Sequence, residues 1–149
     1  MIHLQISEDL SADTSADFLV RAAEECLAYS KANEKLELTI LLTDDEHLHR
    51  LNLEYLGVDA PTDILAFPAD YTDPDTHTAY LGDVLISLER ARLQAQAGGH
   101  STNAELELLV VHGVLHLLGY NHSGTEDKSR MWEAQNEIMA RLGNPLSPS

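Results

Sequence analysis

Three histidines stand in one short run, His-Gly-Val-Leu-His-Leu-Leu-Gly-Tyr-Asn-His, residues 112–122. His112 and His116 are four residues apart, about one helical turn, so on a helix both rings leave the same face. Neutral imidazole is a good zinc ligand, and a helix holds two of them rigidly. Gly119 allows the sharp turn that brings a third histidine, His122, within reach of the first two.

A lone pair of histidines at this spacing can equally be two hydrogen-bonded core residues. The third histidine, just past a helix-ending glycine, favours a metal. Two polar rings among leucines are costly to bury unless something satisfies them, and one ion would satisfy all three. Three protein ligands leave a fourth position for water, the catalytic rather than the structural arrangement of zinc. The order (His, His at plus four, Gly at plus seven, His at plus ten) is the ligand spacing of metzincins. The peptidase base is missing from it. The place after the first histidine, where a zinc protease has glutamate, is Gly113, and the place before the second is Leu115.

The elements that must position these residues follow from periodicity. Residues 2–6 alternate and predict a strand; Phe18, Leu19, Ala22, Ala23, Cys26 and Leu27 predict a helix over about 13–31. Leu36, Leu38, Ile40 and Leu42 predict a second strand, followed by a helix that a capping box at Thr43–Glu46 begins. Ile64–Phe67 predicts a short strand that Pro68 ends or places at an edge, and 69–80 reads as an acidic loop. A strand over 81–87 leads through Ser87, a cap, into a helix that Gly98-Gly99 ends. A second capping box at Thr102–Glu105 opens a helix apolar nearly all round, which should run through the centre of the fold with His112 and His116 on it. Ser123–Glu126 caps a last helix. Four strands among five helices, not strictly alternating, predict an α+β domain: a small four-stranded mixed sheet with helices packed around it.

A chain of 149 residues, 44% apolar and 23% charged, supports one domain with a real core. No repeat or linker divides residues 1–149, and the tail 143–149 is expected to fray. No apolar run approaches the ~18 residues of a membrane span. The N-terminus lacks a signal-peptide pattern, and the single cysteine, Cys26, cannot form an internal disulfide. A cytoplasmic location is expected. The net charge of −16 and the lack of any basic run argue against a general polyanion binder, which needs clustered Lys and Arg.

The histidine run resembles the YbeY family of bacterial rRNA maturation factors, whose motif is His-Gly-x-Leu-His-Leu-x-Gly-Tyr-Asp-His. Leu51–Tyr55, Pro61–Pro68 and Leu81–Ser87 look like the family too, in the same order and spacing, so the resemblance covers nearly the whole chain. It implies a metal-dependent endoribonuclease with a preference for single strands, and one zinc ion on His112, His116 and His122. It also implies a role in 16S rRNA maturation and ribosome quality control, with the small ribosomal subunit and assembly factors as partners. Two departures stand out. The family's arginine after Tyr55 is Leu56, which removes a guanidinium suited to holding a phosphate. The family's aspartate before the third histidine is Asn121, which cannot act as a base.

Asp63, in a segment that looks like the family, either lines the substrate groove or caps a loop, and is carried as a tentative catalytic residue. Asp83 either orients a ligand histidine or serves a turn. His47 and His49 read as solvated surface residues, His77 and His100 have no partner evident in sequence, and Met131 reads as core. Arg130 is the candidate substitute for the missing arginine, with an ion pair to Glu126 or Glu133 as the other reading. Metal-assisted hydrolysis of a phosphodiester is the expected chemistry. The rivals are a non-catalytic ribosome-associated zinc protein, which Leu56 favours, and a metzincin-like peptidase, which Gly113 disfavours.

Overall fold

The computed structural model of the chain describes residues 1–7, 16–32, 36–121 and 123–146. Four strands form one mixed sheet in the order β1-β2-β4-β3. β1 (Ile2–Ile6) runs parallel to β2 (Leu36–Thr43), and β2 parallel to β4 (Ala79–Ser87). β3 (Ile64–Thr72) closes the other edge, antiparallel to β4. Helices α1 (Asp17–Tyr29), α3 (Leu88–Gly98), α4 (Thr102–Leu117) and α5 (Thr125–Arg141) share one core with Leu38, Ile40, Leu42, Val84 and Ile86. On the opposite face, α2 (Asp45–Leu56) seats Leu48 and Leu51 on Leu41, Leu65, Phe67 and Leu85. The predicted architecture, α+β with a four-stranded mixed sheet and five helices, is the one found.

α4 is the central helix because its sequence leaves it no polar face wide enough for solvent. Leu106, Val110, Val111, Val114 and Leu115 are almost wholly buried. Its end is fixed by backbone chemistry. Gly119, at φ +102°, turns the chain so that its N–H bonds to the His116 carbonyl and the Tyr120 N–H to that of Leu115, at 3.0 Å each. These two bonds make a Schellman cap, which a residue with a Cβ would strain.

Several boundaries differ from expectation. β3 continues through Pro68 to Thr72 and β4 begins at Ala79, so most of the expected loop is a hairpin. Pro68 is tolerated because β3 is the edge strand, with a register irregularity after it. Opposite Pro68, Gly82 (φ +141°) lets the strands approach; a Cβ there would collide with the Phe67 carbonyl oxygen. The caps shift by one residue. Thr43 is still paired in β2, so Asp44 takes the cap and accepts from the His47 N–H at 2.8 Å. Ser101 likewise replaces Thr102, accepting from the Ala104 N–H at 3.1 Å. α5 starts after Gly124 with no side-chain cap, so Ser123 does not fill that role. Ser87 caps α3 as expected. α1 begins at Asp17; residues 13–15 of the predicted helix lie outside the described residues. The tail expected to fray from Gly143 is held as far as Leu146. Asn144 is 7% exposed and donates to the Ala104 carbonyl and to Glu107 at 3.0 Å each. Residues 147–149 lie outside the described residues.

Candidate active site

The one-turn spacing of His112 and His116 on α4 does what the sequence predicts: both half-buried rings leave the same face. Their Nε2 atoms converge to 3.1 Å, with ring centroids 4.6 Å apart and planes at 65°. Two nitrogens sharing one tetrahedral zinc at ~2.0–2.1 Å would sit roughly 3.3 Å apart, so the observed spacing fits a pair of ligands to one ion. His122, the expected third ligand, lies outside the described residues. Among the described residues, no group of three or more His, Cys, Asp or Glu side chains converges.

The pair opens into a cleft of about 320 Å³ between α4, the start of β3 and the end of α2. Among the described residues, Leu56, Ile64, Leu65, Ala66, Pro68 and Gly113 form the rest of its lining. None of these is charged. Gly113 explains how α4 lies so close to the sheet. A Cβ there would stand 2.7 Å from Val84 Cγ1 and 2.8 Å from Ile64 Cδ1, well inside van der Waals contact. The position that carries the general base in zinc proteases is therefore turned into the sheet, where no glutamate could fit.

A family model described as Endoribonuclease YbeY matches residues 2–143. The chain belongs to the YbeY family. It is 45% identical to "Endoribonuclease YbeY" of Chloroflexus aurantiacus, with 97% of this chain and 96% of the relative covered. The protein of the same description from Roseiflexus castenholzii is 41% identical, over 96% and 93%. A Thermotoga maritima protein whose structure was solved in solution shares the fold, with a TM-score of 0.58 at 23% identity, covering 97% of this chain and 94% of that one. Among the described residues, no helix is long and apolar enough to cross a membrane.

Leu56 and Asn121, which the sequence reading set apart, have distinct surroundings. Leu56 is 60% exposed and lines the histidine cleft, so this position faces the site. The Asn121 side chain is taken up locally, its Oδ1 accepting from the Ser123 N–H at 3.0 Å and from the Ser123 hydroxyl. Asp63 is not part of the cleft lining. Its carboxylate accepts from Gln94 Nε2 on α3 at 3.2 Å, and its carbonyl from the Ser87 N–H at 2.9 Å. Asp83 lies on the sheet face away from α4, since its neighbour Val84 is the residue against Gly113. It accepts instead from the Tyr80 hydroxyl, and burial, then this bond, push the Tyr80 phenol up. Asp83 thus serves the Tyr80 contact on that face of the sheet.

Arg130 lines a separate recess of about 530 Å³ with Tyr120, Asn121 and Asp127. Its ion partner is Asp127 rather than Glu126 or Glu133. His47 bonds to Thr43, His49 to Asp59, and His100 to the nearly buried Glu105 at 2.6 Å. Met131 is fully buried in the core, as expected. One positioning residue escaped the sequence reading. Asn52, 6% exposed, donates to the Ala60 carbonyl at 2.9 Å and so fixes the loop that follows Leu56. An asparagine on the inner face of an otherwise apolar helix stripe is the signal that could have found it.

Proposed function

We propose that this chain is a zinc-dependent endoribonuclease that cleaves single-stranded RNA in the cleft beside His112 and His116, with His122 as the third ligand and the ion as sole cofactor. The observation that carries this reading is the convergence of the two Nε2 atoms to 3.1 Å in an open cleft of a chain that belongs to the YbeY family. Zinc, when bound, lowers the pKa of a coordinated water and withdraws charge from a phosphoryl oxygen. The chain's own contribution is positional. α4 presents the two imidazoles rigidly, Gly113 presses that helix onto β3 and β4, and the Gly119 turn redirects the chain after the second ligand. The walls at Leu56, Ile64 and Ala66 are aliphatic and supply no positive charge. Turnover should therefore be modest. Partners in the small ribosomal subunit and its assembly factors, rather than a basic surface, would deliver the substrate to a chain of net charge −16. The reading places the protein in the cytoplasm, in 16S rRNA maturation and ribosome quality control, and gives Asp63 no part in the chemistry beyond bracing β3 against α3.

The test is metal analysis joined to cleavage. Purified protein should carry about one equivalent of zinc or a related divalent ion, and His116→Ala should lose both the metal and RNA cleavage. Equal metal content in the variant and the wild type would remove the cage. A panel of peptides should remain uncut. The uncharged cleft lends weight to one further reading, a zinc protein that acts on the ribosome without chemistry. Full rescue of a deletion strain by His116→Ala would favour it.

A further inference from the structure

Apolar side chains are unevenly spread over this surface. Of the eight large hydrophobic residues that stand exposed among the described residues, four lie at the end of α2 and just past it: Leu53, Tyr55, Leu56 and Val58. Tyr55 is 63% exposed, yet its ring is not loose. It meets Phe67 edge-on, with centroids 5.6 Å apart and planes at 66°. Phe67 is itself packed against the small core of Leu48, Leu65 and Leu85. The backbone beneath is equally fixed, by Gly57 in the left-handed region (φ +70°) and by the bond from Asn52 to Ala60. An edge-on contact covers at most one face of the tyrosine, so a rigid aromatic plane is left open to solvent. Its chain neighbour Leu56 lines the histidine cleft, so the platform stands on the helix end that borders that cleft.

We propose that Tyr55, braced by Phe67, is a base-stacking platform that receives a nucleobase of single-stranded RNA next to the scissile phosphodiester. The proposal rests on the ribonuclease reading above and adds the source of its affinity and strand preference. With −16 net charge and no Lys or Arg among the described residues that line the cleft, side-chain contacts to phosphate there supply little of the binding. Stacking needs no charge, tolerates any base, and is worth ~1–3 kcal/mol per base. It also rejects duplex, whose bases have no free face.

The test uses the full-length, metal-loaded protein and single-stranded oligoribonucleotides carrying 2-aminopurine at successive positions, mixed by stopped flow so that binding is read before turnover. Wild type and Tyr55→Phe should quench the probe at one position. Tyr55→Ala and Tyr55→Leu should lose that signal and bind roughly ten-fold more weakly or worse. Tyr55→Leu separates stacking from mere apolar burial. Binding by wild type should fall with salt far less than the ~0.7 log units per tenfold salt and per phosphate of an ionic contact. If Tyr55→Ala binds and quenches like wild type while wild type cleaves RNA, the platform is refuted and the ribonuclease reading stands; the apolar patch would then face a protein. Equal binding of duplex also refutes it. Wild type that neither binds nor cleaves any RNA removes both.

Discussion

Gly113→Ala sets two known effects against each other, and the structure decides their balance. Alanine in a helix interior is favoured over glycine by roughly 1 kcal/mol. Against that gain, the new Cβ would lie 2.7 Å from Val84 Cγ1, 3.2 Å from Val84 Cγ2 and 2.8 Å from Ile64 Cδ1. Ile64 can swing its terminal methyl aside. Val84 cannot: it is fully buried and β-branched, stiff at χ1, on a strand paired on both sides. Restoring a normal carbon contact of ~3.5–4.0 Å needs a shift of about 1 Å between α4 and β4. Overpacking of this kind costs about 1–3 kcal/mol, so the net loss should fall near 1 kcal/mol and reach ~2 kcal/mol. In a chain of this length that lowers Tm by roughly 2–8 °C. Because His112 and His116 flank the residues that move, metal affinity should fall with it. Thermal melts and zinc content of the two purified proteins check this. A Gly113→Ala protein as stable as wild type, or more so, would show that the helix has room to spare and that the glycine does not set the helix–sheet distance.

Three further outcomes are expected. Leu56→Arg should leave Tm unchanged, because the residue is 60% exposed, and should raise cleavage of single-stranded RNA most at low salt, by placing a guanidinium at the cleft; side-by-side rates and melts check it, and a folded variant with unchanged rates would mean that the position does not address the substrate. Asp45 is held below the usual carboxylate range first by its hydrogen bonds from Arg90, then by the Ser87 hydroxyl. A lowered folded-state pKa stabilises above the ordinary value of ~3.9 and fades as pH falls below it. Asp45→Asn should therefore lower Tm at pH 7 and converge with wild type in acid; a gap that persists at pH 2 would contradict the ion-pair account. Cys26 is fully buried, and burial pushes its thiol up, out of the reactive range. A thiol reagent should label native protein only as fast as it unfolds, and one equivalent in denaturant; prompt labelling of the native state would refute the packing of α1 against α4.

What could be read from the sequence was mostly local. Strand alternation, the three-four pattern of α1 and the all-round apolarity of α4 each record burial by one large core, and all reappear in the structure. The ligand face of α4 was legible for the same reason: spacing of one turn fixes the relation of His112 to His116 whatever else the fold does. The errors arose where two neighbours could do the same job. Thr43 and Asp44 can both cap, as can Ser101 and Thr102, and what chose between them was how far β2 stays paired to β4 and where the backbone before α4 leaves the extended region. β3 outran its prediction because a proline is excluded only from central strands, and strand order is not written in one strand's sequence.

The cleft itself was the least legible part, since its shape comes from residues that meet only after folding. Gly113 read as a missing base; in the structure it is the contact between α4 and Val84 and Ile64. The two descriptions are one constraint. A helix that offers histidines at 112 and 116 turns residue 113 about 100° away from them, and here that direction is the sheet. Pressing the helix down fixes the two imidazoles against the sheet and at the same time leaves no room for a peptidase glutamate at position 113. Any proton acceptor the reaction needs must therefore stand somewhere other than position 113.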